Sequence, residues 1–350
     1  MIIERGKRAM RSPITLSRAA VEGFPQVMPG VLICITIALA TTFIADHYGG
    51  PTLLYALLFG MALHFLSEEG RCVAGIEFSS RTILRFGVAL LGVRITVEQV
   101  TSLGIGPIVT VVAGVVLTIF AGVLLAKALG LHRDMGLLTG GAVAICGASA
   151  ALALSAVMPR GANSERNTIL TVVGVTTLST AAMVLYPLIA SVLSLTDQQA
   201  GVFLGGTIHD VAQVVGAGYM ISEETGDVAT FVKLMRVAML VPVVMCFILL
   251  YRNAQGSQNS SKIPRLPGFL VAFVVLVIIN SLGAIPATVA DGMTDLSRWC
   301  LVTAIAGLGI KTSFQKLAVV GWKPVILMVS ETLFLLGLVL SFIIFGLVSL

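Results

Sequence analysis

The chain has 350 residues, of which 57% are hydrophobic and 11% charged, with a formal net charge of +5 and a mean hydropathy of +1.01. A soluble domain carries about 25% charged residues, so water is excluded as the main solvent. The basic excess lies in tails and short loops, where it reports membrane orientation and not nucleic-acid binding. The five cysteines, Cys34, Cys72, Cys146, Cys246 and Cys300, lack CxxC spacing and mostly fall in apolar runs, which argues against a disulfide framework or a zinc site.

Residues 1–24 form a basic tail with Arg5, Lys7, Arg8, Arg11 and Arg18, and the apolar stretch behind it reads as an uncleaved first span. Eleven apolar segments follow, at 25–46, 51–67, 82–97, 103–127, 135–158, 166–193, 201–221, 228–251, 267–285, 294–312 and 322–349. A helix needs about 20 residues to cross a hydrocarbon core of roughly 30 Å. The chain therefore reads as an all-α polytopic membrane protein of about 9 to 11 transmembrane helices, with a transporter domain over 25–350. The one long polar stretch, 252–266, is a surface linker rich in Ser, Asn and Gln.

Compared with itself at an offset of 217 residues, 80–112 aligns without a gap on 297–329 with nine identities, among them Ser80/Ser297, Gly92/Gly309, Gly104/Gly321 and Pro107/Pro324. Arg94/Lys311 is a conservative pair in the same register, and the related segments extend over 80–129 and 297–346. A weaker match at an offset of 65 pairs 136–150 with 201–215. Internal duplication of this kind is common in secondary carriers.

Loop charge sets the expected topology. The N-terminal tail, the loops holding Arg71, Arg81, Lys127 and Arg133, and the 252–266 linker should be cytoplasmic, whereas 46–50 and 286–295 lack Lys and Arg. Arg160 and Arg166 then fall on the wrong side if 135–158 crosses once. A re-entrant or sharply broken 135–158, with a second break in 201–221, restores the rule and makes both repeats inverted. Each segment opens with a glycine pair, Gly140-Gly141 and Gly205-Gly206, and a break inside a membrane is tolerated only where protein or a hydrated site covers the freed backbone.

Ionisable groups within spans are costly and mark function. His209 and Asp210 are the leading candidates for carrying a coupled proton, with Gln213 four residues beyond His209. Lys233 and Arg236, three apart on the next helix, could attract an anion, snorkel, or neutralise Asp210. Cys146, Gly147 and Ser149 are placed to line the first break, Ser149 as a hydroxyl donor, and Gly205 and Gly206 the second. Glu331 lies inside the last span, where a basic partner or proton transfer is expected, and Arg85 and Arg94 are expected to reach the interface. No cofactor or metal set is read.

The motifs LLGVRIT, GGAVAICGASA, GGTIHDVAQVVGAG and KLMRVAML, in this order, resemble the YeiH-like family of bacterial inner-membrane permeases, whose family label is sulfate exporter. The resemblance implies a multi-pass secondary carrier, related to cation/proton antiporter and bile-acid carrier folds. Many relatives read His-Glu where this chain has His209-Asp210. The expected function is transport of a small inorganic or organosulfur anion such as sulfate or sulfite, coupled to protons, in a bilayer that also admits a homo-oligomer. The alternative is a monovalent cation/proton antiporter using Asp210 and His209; an intramembrane enzyme built on Cys146 is the least supported.

Overall fold

The computed structural model describes residues 13–159, 163–251, 267–312 and 322–346, and all secondary structure among them is helical. Five helical stretches are long and apolar enough to cross a membrane: Gln26–Tyr48, Gly106–Ala128, Ser164–Val192, Glu223–Tyr251 and Trp322–Ile344. The first belongs to α1, Pro13–Tyr48, so the helix begins inside what the sequence reads as tail. The linker 252–266, the stretch 313–321 of the second repeat segment, and Arg160 lie outside the described residues.

Two bundles divide the helices. The first holds α1, α2 (Thr52–Ala62), α3 (Val73–Phe78), α4 (Leu84–Leu90), α5 (Val97–Ser102), α14 (Gly268–Ser281) and α15 (Ala287–Lys311). A π turn over Ser79–Ile83 joins α3 to α4, and a 3-10 turn, Leu91–Val93, ends the run, so the expected segment 82–97 is the second half of one longer rod. The second bundle holds α6 (Gly106–Ala128), α7 (Arg133–Ala144), α8 (Ala148–Ser155), α9 (Ser164–Val192), α10 (Asp197–Thr207), α11 (Val211–Ile221), α12 (Glu223–Ala238), α13 (Leu240–Tyr251) and α16 (Trp322–Ile344).

The glycine-rich segments are both split. The first parts into α7 and α8 around Ile145–Gly147, the second into α10 and α11 around Ile208–Asp210. Each returns toward the end from which it came. The hydroxyl of Ser222, just past α11, donates to Asp197 at the start of α10 at 2.8 Å, so both outer ends of that pair are together. In the first pair Gly141 of α7 packs against Leu154 of α8, and Tyr251, at the far end of the α12–α13 rod, donates to Asp134 at the start of α7 at 2.6 Å. The two hairpins therefore enter from opposite ends of the bundle. Their tips meet, with Gly147 against His209.

Close backbone packing fixes the first bundle. A β-carbon at Gly309 of α15 would lie 2.3 Å from the Leu57 carbonyl of α2, and one at Gly92 would lie 2.4 Å from the Phe273 carbonyl of α14. In lipid, where apolar side chains gain little from leaving the solvent, such small-residue contacts let backbones approach and supply dispersion. Backbone atoms cannot swing aside as a side chain tip can. Gly309→Val should therefore force α2 from α15 and cost on the order of 1–3 kcal/mol. A thermal unfolding midpoint in detergent equal to that of the unaltered protein would contradict this packing.

Candidate substrate site between two broken helices

Breaking a helix leaves carbonyls without partners at the upstream half and N–H groups without partners at the downstream half. Here the carbonyls are met by α12. Lys233 Nζ donates to Ile145 O at 2.8 Å and to Ile208 O at 2.9 Å, one carbonyl from each tip. Arg236 donates through Nη2 to Val143 O at 2.8 Å, through Nε to Ala144 O at 3.0 Å, and through Nη1 to Gly205 O and Ile208 O at 3.1 and 3.0 Å. Both side chains are buried. Lys233 does not snorkel, and neither basic group faces the neighbouring cavity; their donors are held by backbone at the negative ends of α7 and α10.

The downstream ends differ from one another. Asp210 is the N-cap of α11: its Oδ1 accepts from the Ala212 N–H at 3.1 Å, while its own N–H donates to Ser179 Oγ at 3.0 Å. Gly147 caps α8 with no side-chain bond, at φ 61° and ψ −122°. That backbone is in the left-handed range that glycine adopts freely. The first N–H groups of α8 thus carry the positive end of a helix with no carboxylate supplied by its own cap.

Between the bundles, a cavity of about 450 Å³ reaches both downstream ends. Ala148, Ser149 and Asp210 lie in its wall, with Thr176, Thr177 and Thr180 of α9 opposite the first-bundle residues Arg81, Arg85 and Lys311. Glu77 pairs with Arg81 at 2.6 Å and with Lys311, all within the first bundle. Arg85 has no ion pair among the described residues. Of the residues expected from sequence, Ser149 and Asp210 line the cavity, and Gly147 forms the turn beneath them.

The other expected residues stand behind that surface. His209 precedes α11, so it and Gln213 do not share a helical face; His209 Nε2 lies 3.0 Å from Thr332 Oγ1, and Gln213 Nε2 donates to Thr180 Oγ1 at 2.9 Å. Thr332 Oγ1 also lies 2.7 Å from Met328 O. Gly205 packs against the Ala229 carbonyl of α12, and Gly206 faces Val339 of α16. Cys146 is buried in the first tip, without a hydrogen bond to His209 among the described residues. Glu331 lies 2.7 Å from Thr139 Oγ1 and has no basic partner among the described residues. Arg94, expected to reach the interface, pairs with Glu223 at 2.7 Å and Asp227 at 3.3 Å.

Sequence reasoning missed the α9 hydroxyls and the basic cavity rim. A signal existed for the first: TTLST over 176–180 interrupts an otherwise apolar 29-residue helix near its middle. Arg81 read only as loop charge and Lys311 only as the repeat partner of Arg94, because their convergence depends on packing α3–α4 against α15.

The family described as conserved hypothetical protein 698 matches residues 29–328. The UPF0324 membrane protein CT0845 of Chlorobaculum tepidum is 55% identical over 326 residues, covering 93% of this chain and 91% of that protein. The UPF0324 membrane protein TauZ of Paracoccus denitrificans is 50% identical over 330 residues, covering 93% and 96%. A solved structure of the sodium proton antiporter MjNhaP1 from Methanocaldococcus jannaschii aligns over 90% of this chain and 98% of that chain at 14% identity, with a TM-score of 0.28 that is too low to assign a common fold.

The four bonds of Arg236 hold carbonyls from both tips. Arg236→Ala would leave buried acceptors unpaired at about 1–3 kcal/mol each, and should lower the unfolding midpoint in detergent sharply. Arg236→Lys keeps the charge without the planar fork and should recover only part of the loss. Equal midpoints for all three proteins would remove Arg236 from the scaffold.

Proposed function

We propose that this chain, which belongs to the UPF0324 membrane-protein family described as conserved hypothetical protein 698, is a secondary carrier for a small anion such as sulfate, sulfite or an organosulfur anion. Charge balance around the cavity carries this reading. Three basic side chains, Arg81, Arg85 and Lys311, line it against one carboxyl, Asp210; Glu77 outside the wall pairs with two of them and leaves Arg85 without an ion pair among the described residues. Lys233 and Arg236 add two more basic groups just behind the tips. A cation site would need the opposite balance, whereas an anion is attracted by the rim and received at the positive end of α8 and by the Ser149 hydroxyl.

Asp210 supplies the coupling. Its carboxylate and an incoming anion repel each other where two helix N-termini converge, so binding the anion together with a proton on Asp210 is favoured over binding the anion alone. The carrier thus couples anion and proton movement. The cavity-lining carboxyl is also the feature that favours the alternative, a monovalent cation/proton antiporter; the basic majority in the wall weighs against it.

The end of the molecule onto which this cavity opens carries Arg71, Arg81, Lys127, Arg133 and Lys311, while the turns 46–51, 193–196 and 282–286 at the other end hold no Lys or Arg. By the positive-inside rule the cavity faces the cytoplasm of a bacterial inner membrane, with the N-terminus on the same side. The inverted duplication is supported by the exchanged packing of Gly92 on α14 and Gly309 on α2, since α2 and α14 are themselves related by nearly the same offset.

Purified protein in proteoliposomes should move radiolabelled sulfate, sulfite or a small sulfonate above empty vesicles. Ser149→Ala and Asp210→Asn should each cut that flux about tenfold, the effect of losing roughly 1.4 kcal/mol of binding, and Asp210→Asn should also remove its response to an imposed pH gradient. Proton movement dependent on sodium or potassium, with no anion flux from any of the three proteins, would replace this reading with the antiporter.

A further inference from the structure

A second cavity, of about 510 Å³, lies between the same two bundles at the opposite end. Asp291 of α15 lines it and Lys311 of the same helix lines the first; their spacing along one helix corresponds to roughly 30 Å at 1.5 Å per residue. Its wall holds Arg94 and Arg298 against Glu223, Asp227, Asp291 and Asp295, an acidic majority where the first cavity has a basic one. It extends along α11 only as far as Tyr219, roughly 13 Å short of Asp210 by helical rise. Between the cavities α11 closes on α15, with a β-carbon on Gly216 reaching Ile305 Cδ1 at 3.4 Å.

At this second end one side chain bridges the bundles. Among the described residues, the ion pairs that join the two bundles are those of Arg94, at the end of the α4 rod, with Glu223 and Asp227 in the first turns of α12. The Arg94 guanidinium also lies over the Tyr219 ring at 5.7 Å, and the Tyr219 hydroxyl donates to Asp227. At the first end the pairs of Glu77 remain inside one bundle. The molecule is thus tied across its cleft at the acidic end and untied at the basic end.

We infer that Arg94, with Glu223 and Asp227, is the latch that keeps the acidic end of the transport path closed, and that its release lets the second cavity extend to the hairpin tips while the first closes. This rests on the carrier reading above. The partners suit a releasable contact. Glu223 and Asp227 sit in the first turns of α12, where a helix N-terminus favours carboxylates without Arg94, and the Glu223 side chain is 73% exposed, so water can take over when the pair parts. A partly solvated ion pair adds little net stability, which suits a protein that must visit both states.

Accessibility of a cysteine tests this without knowledge of the cargo. With the five native cysteines replaced by alanine, Thr177→Cys places a reporter in the first cavity, to be labelled by a membrane-impermeant maleimide in inside-out vesicles. Arg94→Gln should lower the labelling rate about fivefold, the lower edge of usual coupling between sites, and the exchange Arg94→Glu with Glu223→Arg should restore it. In a second arm, run without the reporter and read as flux of radiolabelled sulfate, Arg94→Cys and Glu223→Cys joined by a reducible bifunctional methanethiosulfonate should stop turnover until reductant is added. Labelling unchanged in Arg94→Gln, or turnover persisting in the crosslinked protein, would overturn the latch. A shifted labelling rate in a protein that moves no anion would uphold the latch and count against the anion reading alone.

Discussion

Everything in the second bundle depends on how two helices can stop halfway through a membrane. The freed carbonyls of α7 and α10 cannot be left to lipid, where each would cost several kcal/mol. Lys233 and Arg236 meet carbonyls of both tips from a single helix. Because the donors of one Arg fork reach Val143 and Ala144 in one hairpin and Gly205 and Ile208 in the other, α12 fixes the tips relative to one another as well as satisfying them. The same pair of charges leaves the opposite helix ends, those offering N–H groups, turned toward the cavity.

This division of labour explains why the two downstream halves are capped differently. The α11 half brings its own carboxyl, Asp210, which accepts from the Ala212 N–H. The α8 half brings Gly147, whose backbone conformation a side chain would strain and which offers no cap. One N-terminus therefore carries its own carboxylate and the other carries none. Both lie in the wall of one cavity with the α9 hydroxyls of Thr176, Thr177 and Thr180.

Several of these features were legible in the chain itself. Hydropathy revealed helices throughout, and the loop-charge conflict at Arg160 and Arg166 pointed to segments that turn back, the geometry seen for α7–α8 and α10–α11. The GG pairs marked the segments that break, yet the breaks fall a few residues downstream, at Ile145–Gly147 and Ile208–Asp210, while Gly205 and Gly206 serve packing. Glycine content signals close approach and chain reversal alike, and spacing cannot separate them. The basic pair on α12 was conspicuous, but its ligands are backbone carbonyls, which leave no mark in a sequence. The partners of Arg94 were missed for a related reason: they lie 129 and 133 positions away by number, on another bundle.

The two cavities give the molecule an electrostatic asymmetry from one end to the other. One mouth is lined by three basic residues to one acidic, the other by two basic to four acidic. Fields of this kind change local concentrations and rates of encounter without changing the overall equilibrium, which is set by the gradients on either side. The basic mouth therefore raises the local concentration of anions and the acidic mouth lowers it. Arg94 contributes to both effects: paired, it ties the bundles and partly neutralises the acidic wall, and unpaired, it exposes Glu223 and Asp227 to the path. Opening that end and making it repel an anion are consequences of breaking the same contact.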